Sequence, residues 1–183
     1  MTLQEQIEAA YKLIEEYDST NKTEFTKDPD LKLKMRTVLN IIQFELSRIK
    51  KLPEYIELEV NAGDLIRFED ITNEHEIYQI DMVKGIDYEY KANGTIIKAL
   101  ENGTAEIEYF KYPTRIDNDT DLDFEFELSN DVLEIMPLGV AGTLLMSDVS
   151  NAYGNIYTQR YEKMKQELDI RYNTGSITIE GGI

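Results

Sequence analysis

The stretch Tyr55-Ile-Glu-Leu-Glu-Val-Asn-Ala-Gly-Asp64 decides the fold class, because in it the apolar period changes from helical to two. Ile56, Leu58 and Val60 alternate with Glu57 and Glu59, the pattern of a strand with one buried face. Asn61-Ala62-Gly63-Asp64 then supplies a turn. Short β-prone runs follow at 65–68, 77–80, 88–90, 95–97 and 105–110, separated by Lys84-Gly85, Asn93-Gly94 and Asn102-Gly103. Asn-Gly between alternating segments is a strong hairpin cue. Residues 55–112 therefore read as an inserted antiparallel β-meander of five or six strands.

On the N-terminal side the pattern is helical. Leu3, Ile7, Ala10, Ile14 and Tyr17 fall on one stripe, and Thr2 with Glu5 has the spacing of a capping box. Asp28-Pro29 opens a second helix, with the carboxylate as cap and proline at the first helical position. Its stripe is Leu31, Met35, Val38, Ile42, Leu46 and Ile49. Residues 1–52 thus form a helical pair.

On the C-terminal side, 113–128 reads as a polar acidic connector, and Ser129 or Asn130 caps a third helix. The segment Leu138-Gly-Val-Ala-Gly-Thr-Leu-Leu-Met146 is apolar on every side and should be buried, with Pro137 either kinking the helix or starting its second half. A fourth helix, about 150–168, carries Tyr153, Ile156, Tyr157, Tyr161, Met164 and Leu168 on one face. Helices fill 129–168, and 169–183 is an extended C-terminal arm. The fold class is α+β: a single domain made of a helical bundle, two helices at each end, with the meander inserted.

The 183 residues hold 36 acids against 19 bases, a net charge of −17. The charge is unevenly placed. Residues 1–50 and 135–183 are each −1, whereas 51–100 carry −6 and 101–134 carry −9. Such acidity argues against duplex binding, which needs clustered Lys and Arg, and against anionic membranes. A localised field either keeps a small sheet soluble, repels something anionic or attracts a cation. The N-terminus has no basic and apolar leader and no run is long enough to span a membrane, so the expectation is a soluble protein made without secretion.

Signs of catalysis are missing. There is no Cys and a single His, His75, between two glutamates in a polar turn, so no Ser-His-Asp or Cys-His system can be built elsewhere, and a lone His flanked by acids reads as a solvated residue. Asp117-Asn-Asp-Thr-Asp-Leu-Asp123 begins like a calcium loop, but Leu122 stands where the sharp turn needs Gly and Leu128 where the closing Glu belongs. The expectation is no enzyme, no metal and no cofactor. Twelve tyrosines are many for this length. Tyr153, Tyr157 and Tyr161, spaced by four, serve either core packing or a subunit interface. Ile177-Thr178-Ile179 is a three-residue β-prone run, which needs a sheet edge in its own chain or in another protein.

A series of stretches carries a resemblance: Ile107-Glu-Tyr-Phe-Lys-Tyr-Pro113, Asp119-Thr-Asp-Leu-Asp123, Phe126-Glu-Leu-Ser129, Ile135-Met-Pro-Leu-Gly-Val-Ala141 and Leu144-Leu-Met-Ser-Asp148. Asn151-Ala-Tyr-Gly-Asn-Ile-Tyr157, Arg160-Tyr161 and Ile177-Thr-Ile-Glu-Gly-Gly-Ile183 complete it. In this order they resemble the head–tail adaptor (connector) proteins of tailed bacteriophages and prophages. The resemblance implies a non-enzymatic homo-oligomeric ring, typically of twelve copies. It would sit beneath the portal protein in the virion neck and offer a docking platform to a stopper or tail protein. The chain would be made in the bacterial cytoplasm. On this reading Tyr172, Ile177, Thr178, Ile179 and Ile183 of the arm contact the portal or a neighbouring subunit, and Tyr153, Tyr157 and Tyr161 face the next copy. Asp117, Asp119, Asp121, Asp123 and Glu125 would line a channel that repels passing DNA without binding it. Two rivals stand beside it. One is a baseplate or tail-tip module whose meander binds glycan or calcium; the other is a carboxylate- and metal-dependent nuclease or glycosidase.

Overall fold

The computed structural model describes residues 1–14, 26, 28–71, 76–146 and 152–173. It is a mixed α+β chain with antiparallel sheets, divided into two compact units. One unit takes residues 1–50 and 115–183, and the other is the intervening Lys51–Thr114.

The first unit is helical. In α1 (Leu3–Leu13) Thr2 and Glu5 form the expected reciprocal capping box, at 3.2 Å and 2.8 Å. In α2 (Pro29–Ser47) Asp28 accepts from the amides of Asp30 and Leu31. Leu3, Ile7 and Ala10 of α1 and Met35, Val38, Ile42 and Leu46 of α2 are buried, with Ile14, Leu31 and Ile49 half-buried; Tyr17, the last member of the first stripe, lies outside the described residues. The apolar 138–146 segment lies mostly within α5 (Met136–Leu145), which packs against α1, α2 and α6 (Ala152–Asn173). Pro137 starts that helix: a short α4 (Asn130–Leu133) precedes it and the chain breaks between the two. Small residues let α6 approach closely. A Cβ on Gly142 would stand 2.6 Å from the Thr158 hydroxyl, and one on Gly139 2.9 Å from the Tyr161 ring.

Among the described residues the second unit holds six strands: β1 (Leu52–Val60), β2 (Leu65–Arg67), β3 (Ile77–Lys84), β4 (Tyr88–Lys91), β5 (Ile96–Ala99) and β6 (Gly103–Lys111). A single-turn helix, α3 (Phe68–Ile71), follows β2. The strands form two antiparallel sheets, ordered β1-β6-β3 and β2-β5-β4. This corrects the meander. Only β4 and β5, joined through Asn93-Gly94, make the hairpin that the turn cues promise. Lys84-Gly85 and Asn102-Gly103 instead carry the chain from one sheet to the other. The physical reason is that a turn cue specifies a reversal and leaves the partner open. The partner is fixed by burial: Ile107 and Tyr109 of β6, Ile80 and Val83 of β3, and Ile66, Ile97 and Ala99 of the other sheet share one apolar core. Gly85 is obligatory at its switch, with φ +83° and the Thr104 carbonyl oxygen 2.3 Å from where a Cβ would lie.

Candidate functional site

The candidate contact residues on α6 do not share one environment. Tyr161 is buried, 3% exposed, and donates its hydroxyl to Glu45 of α2 at 2.8 Å. Lys165 joins the same cluster, 2.6 Å from Glu45 and 2.7 Å from Glu162. Burial, then the Glu45 hydrogen bond, pushes the Tyr161 hydroxyl far above the usual phenol range. Tyr157 is half-buried and donates to the Leu13 carbonyl at 2.7 Å, tying α6 to the end of α1. Tyr153 alone is open to solvent, 62% exposed, with its ring stacked on Tyr157 at 6.5 Å.

The helix has more apolar surface than its neighbours cover. Gly154, Tyr161 and Leu168 face inward, while Tyr153, Ile156 and Met164 stand exposed along an adjoining stripe. On α2, Leu33 (73%) and Ile41 (54%) are also exposed, about two turns apart along the helix. Periodicity does not distinguish a face buried within a chain from one left for another chain.

Tyr172 belongs to α6, which runs past the expected end at 168 as far as Asn173, so the helix includes the first residues assigned to the arm. Its hydroxyl hydrogen-bonds the Asp131 carboxylate, and the Lys50 ammonium sits 4.3 Å over its ring. Hydrogen bonding from Tyr172 holds the Asp131 carboxyl below its ordinary range. Arg171 adds an exposed ion pair to Asp131 at 3.4 Å. Ile177, Thr178, Ile179 and Ile183 of the arm lie outside the described residues, as does His75.

The acidic connector is more ordered in pattern than its composition suggests. Asp117, Asp119, Asp121, Asp123 and Glu125 are all exposed. From 121 to 128 the chain alternates: Asp121, Asp123, Glu125 and Glu127 point to solvent, Leu122 and Phe124 are half-buried, and Phe126 and Leu128 are buried. The carbonyls of Phe124 and Leu122 accept from the Leu3 and Gln4 amides, so the connector satisfies the open N-terminal donors of α1. Asn40 of α2 clamps the connector's start, donating to the Ile116 carbonyl at 2.7 Å and accepting its amide at 2.9 Å. Arg36 donates to the Asp117 and Thr120 carbonyls. The Asp117 carboxylate accepts from the Thr120 hydroxyl and the Asp119 amide, which together draw its pKa down. These bonds turn the calcium-like start into a self-contained loop. Among the described residues no group of three or more His, Cys, Asp or Glu is placed to hold a metal ion, and no helix is long and apolar enough to cross a membrane.

The arrangement is therefore one of surfaces: exposed apolar residues on two different helices and a row of outward carboxylates pinned to the same unit. Compared with known families and with curated proteins, the chain matches no family model and no individual sequence.

Proposed function

We propose that this protein is a head–tail adaptor: a ring-forming structural component of a phage or prophage virion that docks beneath the portal and receives a stopper or tail protein. The finer arrangement that belongs to this reading is a helical bundle carrying an inserted β unit and ending in an arm for the portal or the neighbouring subunit. One observation carries it. The helical unit leaves apolar residues exposed on two different helices, Tyr153, Ile156 and Met164 on α6 and Leu33 and Ile41 on α2. A head-to-tail ring needs two unlike, complementary faces on each copy, whereas a two-fold dimer needs only one. The ordered motifs that resemble the adaptors support the same reading. So does the outward row Asp117, Asp119, Asp121, Asp123 and Glu125, which would repel phosphates from a channel wall.

Mass measurement of the purified chain, alone and mixed with its cognate portal, tests the proposal. A ring, or a monomer that assembles only on portal, is the expected result. A monomer that ignores portal overturns it. In an assembled ring, those five carboxylates on the outer circumference would remove the channel assignment.

A further inference from the structure

The β unit carries an open cleft of about 320 Å³ on the β1-β6-β3 sheet. We propose that this cleft binds a basic side chain, Arg or Lys, presented by a partner protein. The inference does not rest on the adaptor reading.

One wall of the cleft already holds a cation of the chain itself: the Lys51 ammonium lies 4.4 Å over the Phe110 ring. The buried Lys111 and its partner Glu54 belong to the opposite face of the sheet, the face of Ile107 and Tyr109. The opposite half repeats that chemistry with less of it satisfied. Tyr55 is 50% exposed, and its hydroxyl donates to Glu57 at 2.6 Å, which fixes the ring. Glu108 stands opposite Tyr55 across the ladder and shares one exposed lysine, Lys84, at 2.8 Å. Asp81 makes no ion pair among the described residues. It is the extra residue where the β3–β6 register shifts between Ile80 and Met82. A bulge of this kind re-aims a side chain and is frequent beside binding sites. Here Asp81 lines the cleft.

An aromatic face flanked by carboxylates selects an organic cation. A neutral sugar would need hydrogen-bond donors as well as acceptors, and the free groups of this half are acceptors. A calcium ion would need six or more converging oxygens. Charge complementarity points the same way: Lys51–Thr114 holds 14 acids and 6 bases, net −8, and one of the bases, Lys51, is engaged on the closed wall. A basic segment would be steered to this unit and held where ring and carboxylates meet.

The test is an NMR titration of the isotope-labelled full chain with the peptide Gly-Gly-Arg-Gly-Gly, against the same peptide with Ala for Arg. The expected result is saturable shifts at the amides of Tyr55, Asp81 and Glu108 with the Arg peptide only. Asp81→Asn and Tyr55→Leu should each weaken binding roughly fivefold, the scale of one exposed charge contact or cation–π contact. Tyr55→Phe, which keeps the ring, and Asp87→Asn, an equal charge change off the cleft, should stay within about twofold. Lys84→Ala, which removes the competing cation, should tighten binding. Thermal melts of each variant separate lost binding from lost fold. Three outcomes overturn the proposal: no saturable shift, a loss in Asp87→Asn equal to that in Asp81→Asn, or the same amides answering calcium chloride or methyl glucoside and not the peptide.

Discussion

At the scale of single residues, the helical unit depends on a few contacts whose geometry leaves no slack. Gly142 is the sharpest. An added Cβ would meet the Thr158 hydroxyl at 2.6 Å and the Thr158 backbone nitrogen at 3.0 Å, and the backbone cannot swing aside as a side chain would. Gly142→Ala gains up to about 1 kcal/mol of helix propensity. It loses more to overpacking, about 1–3 kcal/mol. With the full propensity gain the net expectation is a destabilisation of up to about 2 kcal/mol, read as a lower urea midpoint with unchanged slope. Asn40 is the second such residue, because its amide satisfies both backbone groups of Ile116 and is itself oriented by Gln43 at 2.8 Å. Asn40→Ala leaves two backbone groups without their partner and should cost about 1–3 kcal/mol, with faster proteolysis in 113–128. Asp131 gives the pH test. Its folded pKa is depressed, so the stability it contributes is present above the ordinary carboxyl range near 3.9 and is lost as pH falls through the lower folded value. The group is partly exposed, so the loss is below about 1 kcal/mol. Tyr172→Phe removes the largest single cause of the depression and should raise the Asp131 carboxyl toward its ordinary range, seen by NMR titration. Sequence showed the caps at Thr2 and Asp28, since a cap is a local pattern. Asn40 and Gly142 were hidden, because their partners lie 76 and 16 positions away.

At the scale of elements, the sequence conveyed type and missed partnership. The period-2 runs mark five or six strands, yet the pairing of β1 with β6, from Leu52↔Lys111 to Val60↔Gly103, spans the whole unit. Alternation says which side chains face inward; it is silent on which strand lies alongside. The connector was legible as a link, and its internal order was not. Its alternation of Leu122, Phe124, Phe126 and Leu128 with acids is present in the sequence, but the acids dominate the composition, so it reads as a polar link. In α6 the apolar stripe was legible and its division was not: Tyr161 and Leu168 pack inside, while Tyr153, Ile156 and Met164 remain outside. That division makes a prediction at this scale. Leu168→Ala should cost about 2–4 kcal/mol of stability, the range for a buried Leu. Ile156→Asp and Met164→Asp, at side chains 41% and 38% exposed, should cost less, about 1 kcal/mol. If the stripe joins subunits, the same two changes abolish assembly. Chemical denaturation and sedimentation of the three variants separate the roles, and an Ile156→Asp chain that assembles normally removes the stripe from the interface.

At the scale of the whole molecule, the −17 is shared almost evenly between the units, −8 in Lys51–Thr114 and −9 in the helical unit. Within the helical unit, 115–134 carry −7, so the helices themselves remain close to neutral. The exposed apolar residues therefore lie on the least charged part of the chain. Copies that meet through those residues must still bring together two strongly anionic bodies. That repulsion acts over a Debye length of about 30 Å at 0.01 M salt and about 8 Å at 0.15 M, whereas apolar contact hardly depends on screening. On the proposed adaptor reading, self-association should therefore strengthen as sodium chloride rises from about 0.01 to 0.5 M, and sedimentation velocity at fixed protein concentration should show the larger species growing across that range. The direction is diagnostic. Association carried by ion pairs weakens with salt; association carried by Tyr153, Ile156 and Met164 against Leu33 and Ile41 strengthens with it. Ile156→Asp supplies the control, since it should stay monomeric at every salt concentration. Assembly that falls as salt rises would assign the contact to charged groups and take it away from the exposed apolar residues of α6 and α2.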